Sequence, residues 1–300
     1  MVDGPGETSR CVLPAIYDNE AGISFLCRLA VKDWGDADRV VLDLRPCTFL
    51  GQSAIAALGA IVKRLHAEGR SVGLHRGNEQ HPVYLHLRRN GFLSAFGLPA
   101  LPETGHAVGY RHDPGLDKGG LMGYLIDRWL RADRGDWVRL SATLRHAIAG
   151  TVAEIYINSF EHSGSQLGVF SSGQHYPRTA TLSLSVVDLG VGIAGSVRRF
   201  RDNPAIRADR ALQWAFAEGT STKRPGGMGR GLGLGILREF VQLNGGRLKV
   251  VSNDGEAEFG ARGERYRCRA PGFPGTMASI EVRCDGRRYR FSSDAQGSEQ

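Results

Sequence analysis

The sequence predicts a mixed α/β and α+β protein of two domains, and three observations lead there. Its 300 residues suffice for two ordinary cores. In the first third the signals run strand–helix–strand, which implies a parallel sheet with helix cover. Further on the order becomes helix, strands, long loop, helix, strands, an α+β order unlike a doubly wound dinucleotide fold. A Gly- and Pro-rich stretch at 99–120 (PALPETGHAVGYRHDPGLDKGG) separates the two and reads as a linker. The expected layout is a first domain at 1–98, the linker at 99–120, a second domain at 121–285 and a polar tail at 286–300.

The elements follow in order. Val40-Val41-Leu42-Asp43-Leu44 is a short apolar run of the buried-strand kind. Ser53 to Ala67 carries Ile55, Leu58, Ile61, Val62 and Leu65 at helical spacing and is closed by Gly69. Ser71 to Leu74 reads as the returning strand. The second block opens with helical LMGYLIDRWLRA and a long helix from Ser141 to about His162. Strands are expected at 167–170 and 179–187, the latter alternating up to Asp188. A helix from Leu232 to Leu243 stops at Asn244-Gly245-Gly246, and strands at 247–252, 264–269 and 276–283 close the block.

Composition is that of a soluble globular chain, with 41% apolar and 23% charged residues. No run of about 18 apolar residues suggests a membrane span, and MVDGPGETSR lacks the apolar core of an export signal. Five cysteines without a Cys-x-x-Cys pair argue against a disulfide framework or zinc site and suit the cytoplasm. Residues 1–115 hold 12 basic and 12 acidic side chains, so the net charge of +7 lies entirely in residues 116–300. A basic half suits a nucleotide, and DNA or RNA equally.

Four motifs could carry chemistry. Glu154 and Asn158 in AEIYINSFEHS stand one helical turn apart on one face. A carboxylate and a carboxamide so placed suit a general base and a hard-metal ligand such as one for Mg²⁺, although any solvated helix face can show this spacing. Asp188-Leu-Gly190-Val-Gly192 follows a strand. An Asp there can accept from an adenine amino group, and the glycines let backbone approach a ring; an ordinary Asp-Gly turn is the bland reading. The run Gly226-Gly-Met-Gly229-Arg-Gly231-Leu-Gly233-Leu-Gly235 opens a helix and could offer N–H groups to phosphate. It is neither a P-loop nor a dinucleotide fingerprint, lacking Gly-Lys-Ser/Thr and a preceding strand. Gly275-Thr276 enters the last strand, where the Thr hydroxyl could bridge to Asp188.

Together these residues resemble the GHKL ATPase superfamily, which includes gyrase, histidine kinases and MutL, over about residues 140–284. NSFEHS is similar to its N box, VVDLGVGI to its first glycine box, and GGMGRGLGLGILREFVQLNGGRLKVVS to the second. The resemblance implies a Bergerat α/β sandwich, with helices on one face of a mixed, largely antiparallel sheet, binding ATP and Mg²⁺. It implies that Glu154 activates water or a hydroxyl, that Asn158 holds Mg²⁺ and that Asp188 reads adenine, with Gly190, Gly192 and Thr276 around it. Gly229, Gly231 and Gly233 would wrap the phosphates, with His162 as a further phosphate contact and Gly227, Arg230, Leu232 and Leu234 also among the ATP-binding residues. The intervening segment would be a lid, with Thr222 and Lys223 near its end. No dimerising hairpin with a phospho-acceptor His precedes the N box, so an orthodox two-component sensor is not expected.

The first block resembles STAS domains, the fold of anti-sigma-factor antagonists, through RVVLDLRPCTFLGQSAIAALGAIVKRLHAEGRSVGLHRG and LRRNGFLSAFGL. In that family a Ser opening a helix is phosphorylated by a GHKL-type kinase. Here the turn reads Gly51-Gln52-Ser53-Ala54, without the family's Asp, so Ser53 is a phospho-acceptor candidate or simply an N-cap.

The expected function is an Mg·ATP-binding regulator, a slow ATPase whose lid closure switches contacts between domains or with a partner. A serine kinase of the anti-sigma type, acting on Ser53 or a separate STAS protein, is the second reading, and a non-catalytic ATP sensor the third. A protein partner reached through the STAS-like block is expected, and a homodimer is an open possibility.

Overall fold

The computed structural model describes residues 7–103, 105–132, 137–217 and 232–294. Three short strands, β1 (Thr8–Val12), β2 (Arg39–Asp43) and β3 (Ser71–His75), pair in parallel in the order β1-β2-β3. Between them run α1 (Glu20–Ala30) and α2 (Gln52–Ala67), as parallel strands require. Asn19 caps α1 by accepting from the Gly22 N–H at 3.0 Å. α3 (Pro82–Arg89) and a 3₁₀ turn at Leu93–Phe96 complete this part.

A five-stranded sheet forms the rest. β4 (Ala107–Asp113) lies at its edge, ahead of α4 (Lys118–Gly123), a π-helical turn at Tyr124–Trp129 and β5 (Arg139–Leu140). The long helix α5 (Ala142–His162) starts at Ser141, whose hydroxyl accepts from the Leu144 N–H. β6 (Val169–Tyr176) and β7 (Thr181–Asp188) form a hairpin, followed by α6 (Gly192–Phe200) and α7 (Ala208–Ala215). After α8 (Leu232–Asn244) come the long strands β8 (Arg247–Gly260) and β9 (Gly263–Arg283), and then β10 (Arg288–Tyr289), which pairs with β5. The sheet order is β4-β6-β7-β9-β8, antiparallel at every pairing.

Side-chain alternation gives this sheet two different faces. Leu182, Leu184 and Val186 of β7 join Ala278, Ile280 and Val282 of β9 under Ile148, Val152 and Tyr156 of α5 and Leu237 and Val241 of α8. The opposite face carries Ser172, Ser183, Ser185 and Ser279 with Phe170, Val187 and Met277. α2 lies on that face. Gln52 to Val62 are buried without exception, because α2 is enclosed between the two sheets. A helix apolar on all sides must be buried on all sides. Its polar first turn is satisfied there: Ser53 Oγ is 3.0 Å from Ser185 Oγ, Gln52 accepts from Ser172 at 2.7 Å, and Gln52 Nε2 donates to the Tyr176 hydroxyl at 2.8 Å.

Two expectations are corrected. The stretch 99–120 is not merely a linker, since 107–113 is β4; Gly109 and the polar Arg111, His112 and Asp113 hid an edge strand. The strands expected at 264–269 and 276–283 are one continuous β9, which passes Pro271-Gly272 without ending. The architecture is mixed α+β, and one hydrophobic cluster joins residues of the N-terminal block to Phe170, Val187, Val251, Phe273 and Met277 of the larger sheet. Among the described residues no helix is long and apolar enough to cross a membrane, and all five cysteines are free.

Candidate functional site

β7 ends on Asp188, and the alternation that sends Leu182, Leu184 and Val186 toward α5 directs Asp188 there too. The residue is 1% exposed. Its Oδ2 accepts from Ser159 Oγ of α5 at 2.9 Å and its Oδ1 from the Gly190 N–H at 2.9 Å, with the Thr276 N–H of β9 a third donor. Burial pushes the carboxyl up to about 6, against the pull of those three donors. It is mostly ionised at neutral pH, and an ionised carboxylate with about four acceptor sites keeps capacity for one more donor.

The glycines after Asp188 are used for conformation. Gly192 has φ 72°, and a Cβ there would fall 2.4 Å from Asn253 Oδ1. Gly275 has φ 111°, and its Cβ would lie 2.2 Å from the Asp188 carbonyl oxygen. Neither position tolerates a side chain. Ser252 of β8 braces this turn: its hydroxyl accepts from the Ile193 N–H at 2.7 Å and lies 2.9 Å from Gly275 O and 3.1 Å from Thr276 Oγ1. Asn253 does the same a residue later, accepting from the Gly195 N–H and donating to Val191 O.

Glu154 and Asn158 share one side of α5, Glu154 half-buried and Asn158 exposed. Ser159, next to Asn158, is the residue that ties α5 to Asp188. Glu154, Asn158 and the strand-end Asp188 therefore sit on adjoining elements, with α8 packed beside α5. The Thr276 contact differs from expectation. Its hydroxyl pairs with Ser252, and its backbone N–H serves Asp188.

His162 ends α5, with its side chain outside the described residues. Thr222, Lys223, Gly227, Gly229, Arg230 and Gly231 lie outside the described residues altogether, as do the side chains of Leu232 and Leu234, where with Gly233 α8 begins. Among the described residues no three His, Cys, Asp or Glu side chains gather as a metal cluster. An exposed Asn158 amide oxygen still fits an Mg²⁺ ion whose other ligands are phosphate and water.

Ser53 is fully buried against Ser185, and its N–H, with that of Gln52, donates to the carboxylate of Asp18 at 3.1 Å. The helix N-terminus that a phosphate would occupy is already filled by the Asp18 carboxyl, whose pKa burial raises. In this packing the Ser53 hydroxyl is not accessible to a kinase.

Sequence reasoning missed Ser159, Ser252, Asn253 and Asp18. Ser159 lay inside the quoted N-box motif, but a Ser one residue past Asn158 has no signature of its own. Ser252 and Asn253 required knowing that β8 and β9 pair at Thr276. No family model, curated protein or solved structure matches this chain.

Proposed function

We propose that the chain binds Mg·ATP between α5, the Asp188–Gly192 turn and the start of α8, and hydrolyses it slowly to switch its contacts. The observation that carries this reading is Asp188, a buried carboxylate near pKa 6 at a strand end. The carboxylate closes the Asp188–Gly190 turn and keeps one acceptor site, which suits an adenine amino donor. Ser252 and Asn253 brace the turn that follows, which fixes the direction of the Asp188 carboxylate.

In this reading Asn158 would hold Mg²⁺, which when bound would supply positive charge against the phosphate oxygens. Glu154 takes a proton from water as that water attacks the γ-phosphorus and ADP departs with the broken P–O bond. Gly229, Gly231 and Gly233 would be the phosphate contacts of this reading. With 1% of Asp188 exposed, adenine reaches it only as surrounding side chains give way, so association is gated by conformation.

The buried Ser53 disfavours phosphoryl transfer within the chain, leaving a kinase reading that needs a separate STAS protein. Incubation with Mg²⁺ and γ-labelled ATP tests the proposal. Label released as free phosphate is expected. Label on protein would establish the kinase reading instead, and label retained on ATP would leave a sensor.

A further inference from the structure

β1, β2 and β3 form a parallel sheet, and such sheets are almost always covered on both faces. Here one face is covered: Cys11, Val40, Leu42, Val72 and Leu74 point into the core. The other face is set by the register Arg10–Val41–Gly73 and Val12–Asp43–His75, and the described helices leave it open. Val12 is 54% exposed, Arg10 is exposed, and Arg39 lies across Gly73.

Its charge is one-sided. Asp43 is the carboxylate of the face, buried beneath Arg45 at 2.7 Å, with Arg10 and His75 each at 3.8 Å. Arg45 holds the Asp43 carboxyl well below the usual range. At the β1 edge the face continues into a groove of about 380 Å³ whose floor is Phe25 and Leu29 and whose rim includes Arg28 and Lys32. Arg28 stands in the last turn of α1 and Lys32 just beyond its end, both without a carboxylate partner among the described residues, Lys32 lying over the Trp34 ring at 4.9 Å.

We propose that this face and groove dock an acidic amphipathic helix of a partner protein. A helix is what normally covers a parallel sheet, and its apolar row would lie on Val12 and Val41. Its carboxylates would meet Arg10, Arg28, Lys32 and Arg39. The strands offer no Trp, Tyr or Phe to this face for base stacking, and the valine strip calls for apolar cover, which favours protein over nucleic acid. The proposal is independent of the nucleotide reading.

The test uses the full chain and a fluorescent helical peptide of Leu and Glu, with its Lys counterpart and single-stranded poly(U) as further probes. Saturable binding of the acidic peptide alone is expected, weakened at least tenfold by Arg28→Glu with Lys32→Glu. Arg288→Glu with Arg290→Glu should leave it unchanged, and a carbodiimide should join a peptide carboxylate to Lys32. Absence of binding, equal loss in both variants, or poly(U) binding that depends on Arg28 and Lys32 would each overturn the proposal.

Discussion

At the scale of single residues, burial of the Asp188 carboxyl costs stability. Its folded pKa of about 6 exceeds the ordinary 3.8, so the folded state holds more protons than the unfolded one between those values. Stability therefore falls as pH rises from about 4 to about 6, and stays lower above that. Asp188→Asn should remove this penalty. The new amide can donate to Ser159 Oγ, whose own hydrogen then goes to Ile155 O, 3.1 Å away. We expect denaturant titration at pH 7 to show the variant more stable by about 1–3 kcal/mol. Its ATP affinity should be weaker by about 1.5–3 kcal/mol through loss of a charge-assisted hydrogen bond. Glu154→Ala should behave differently, lowering turnover about 10²–10⁴-fold with ATP binding retained, as single-turnover and equilibrium measurements would reveal.

At the scale of elements, the attachment of α1 to the β8–β9 hairpin rests on a charged cluster. Arg269, 4% exposed at its side chain, bonds Glu256 at 3.0 Å and Glu20 at 2.8 Å and donates to Ser24 Oγ, while Arg267 reaches the same two carboxylates. Arg269→Ala removes one of three cations around the buried Glu256, leaving Arg267 at 2.7 Å and Lys249 at 3.6 Å, and should cost about 1.5–3 kcal/mol in chemical denaturation. How far the elements could be read from sequence varied with their surroundings. α2 and β2 declared themselves because apolar spacing and closing glycines were intact. That α2 is buried on every side was also written in the uncharged run from Gln52 to Val62, yet helical spacing alone suggested one covered face. The Leu-Ser-Leu-Ser alternation of β7 reads as a sheet with a wet face, whereas Ser183 and Ser185 are buried on the α2 side. β4 escaped because Gly109 and three polar residues leave almost no period-two signal. At the site, Asp188, Glu154 and Asn158 were legible as motif residues. The partners Ser159 and Ser252 depend on distant pairing and were not.

At the scale of the whole molecule, the two blocks share a core through α2, so neither is expected to unfold alone. Calorimetry should give one transition with matching calorimetric and van't Hoff enthalpies. Separating the chain near residue 100 would expose Phe170, Val187 and Met277 on one side and Ile55 and Leu58 on the other. This arrangement gives the nucleotide reading its mechanical content. Asp188 pairs with Thr276 on the strand whose next residue, Met277, faces the α2 cluster, so under the proposed function this strand would be the route from the site to the junction of the sheets.

The most direct test is calorimetric titration of Mg·ATP into the full chain and into Asp188→Asn at pH 7. The account predicts saturable binding by the natural chain and affinity at least tenfold weaker in the more stable variant. Equal affinity in the two proteins, or no binding by the natural chain, would contradict it.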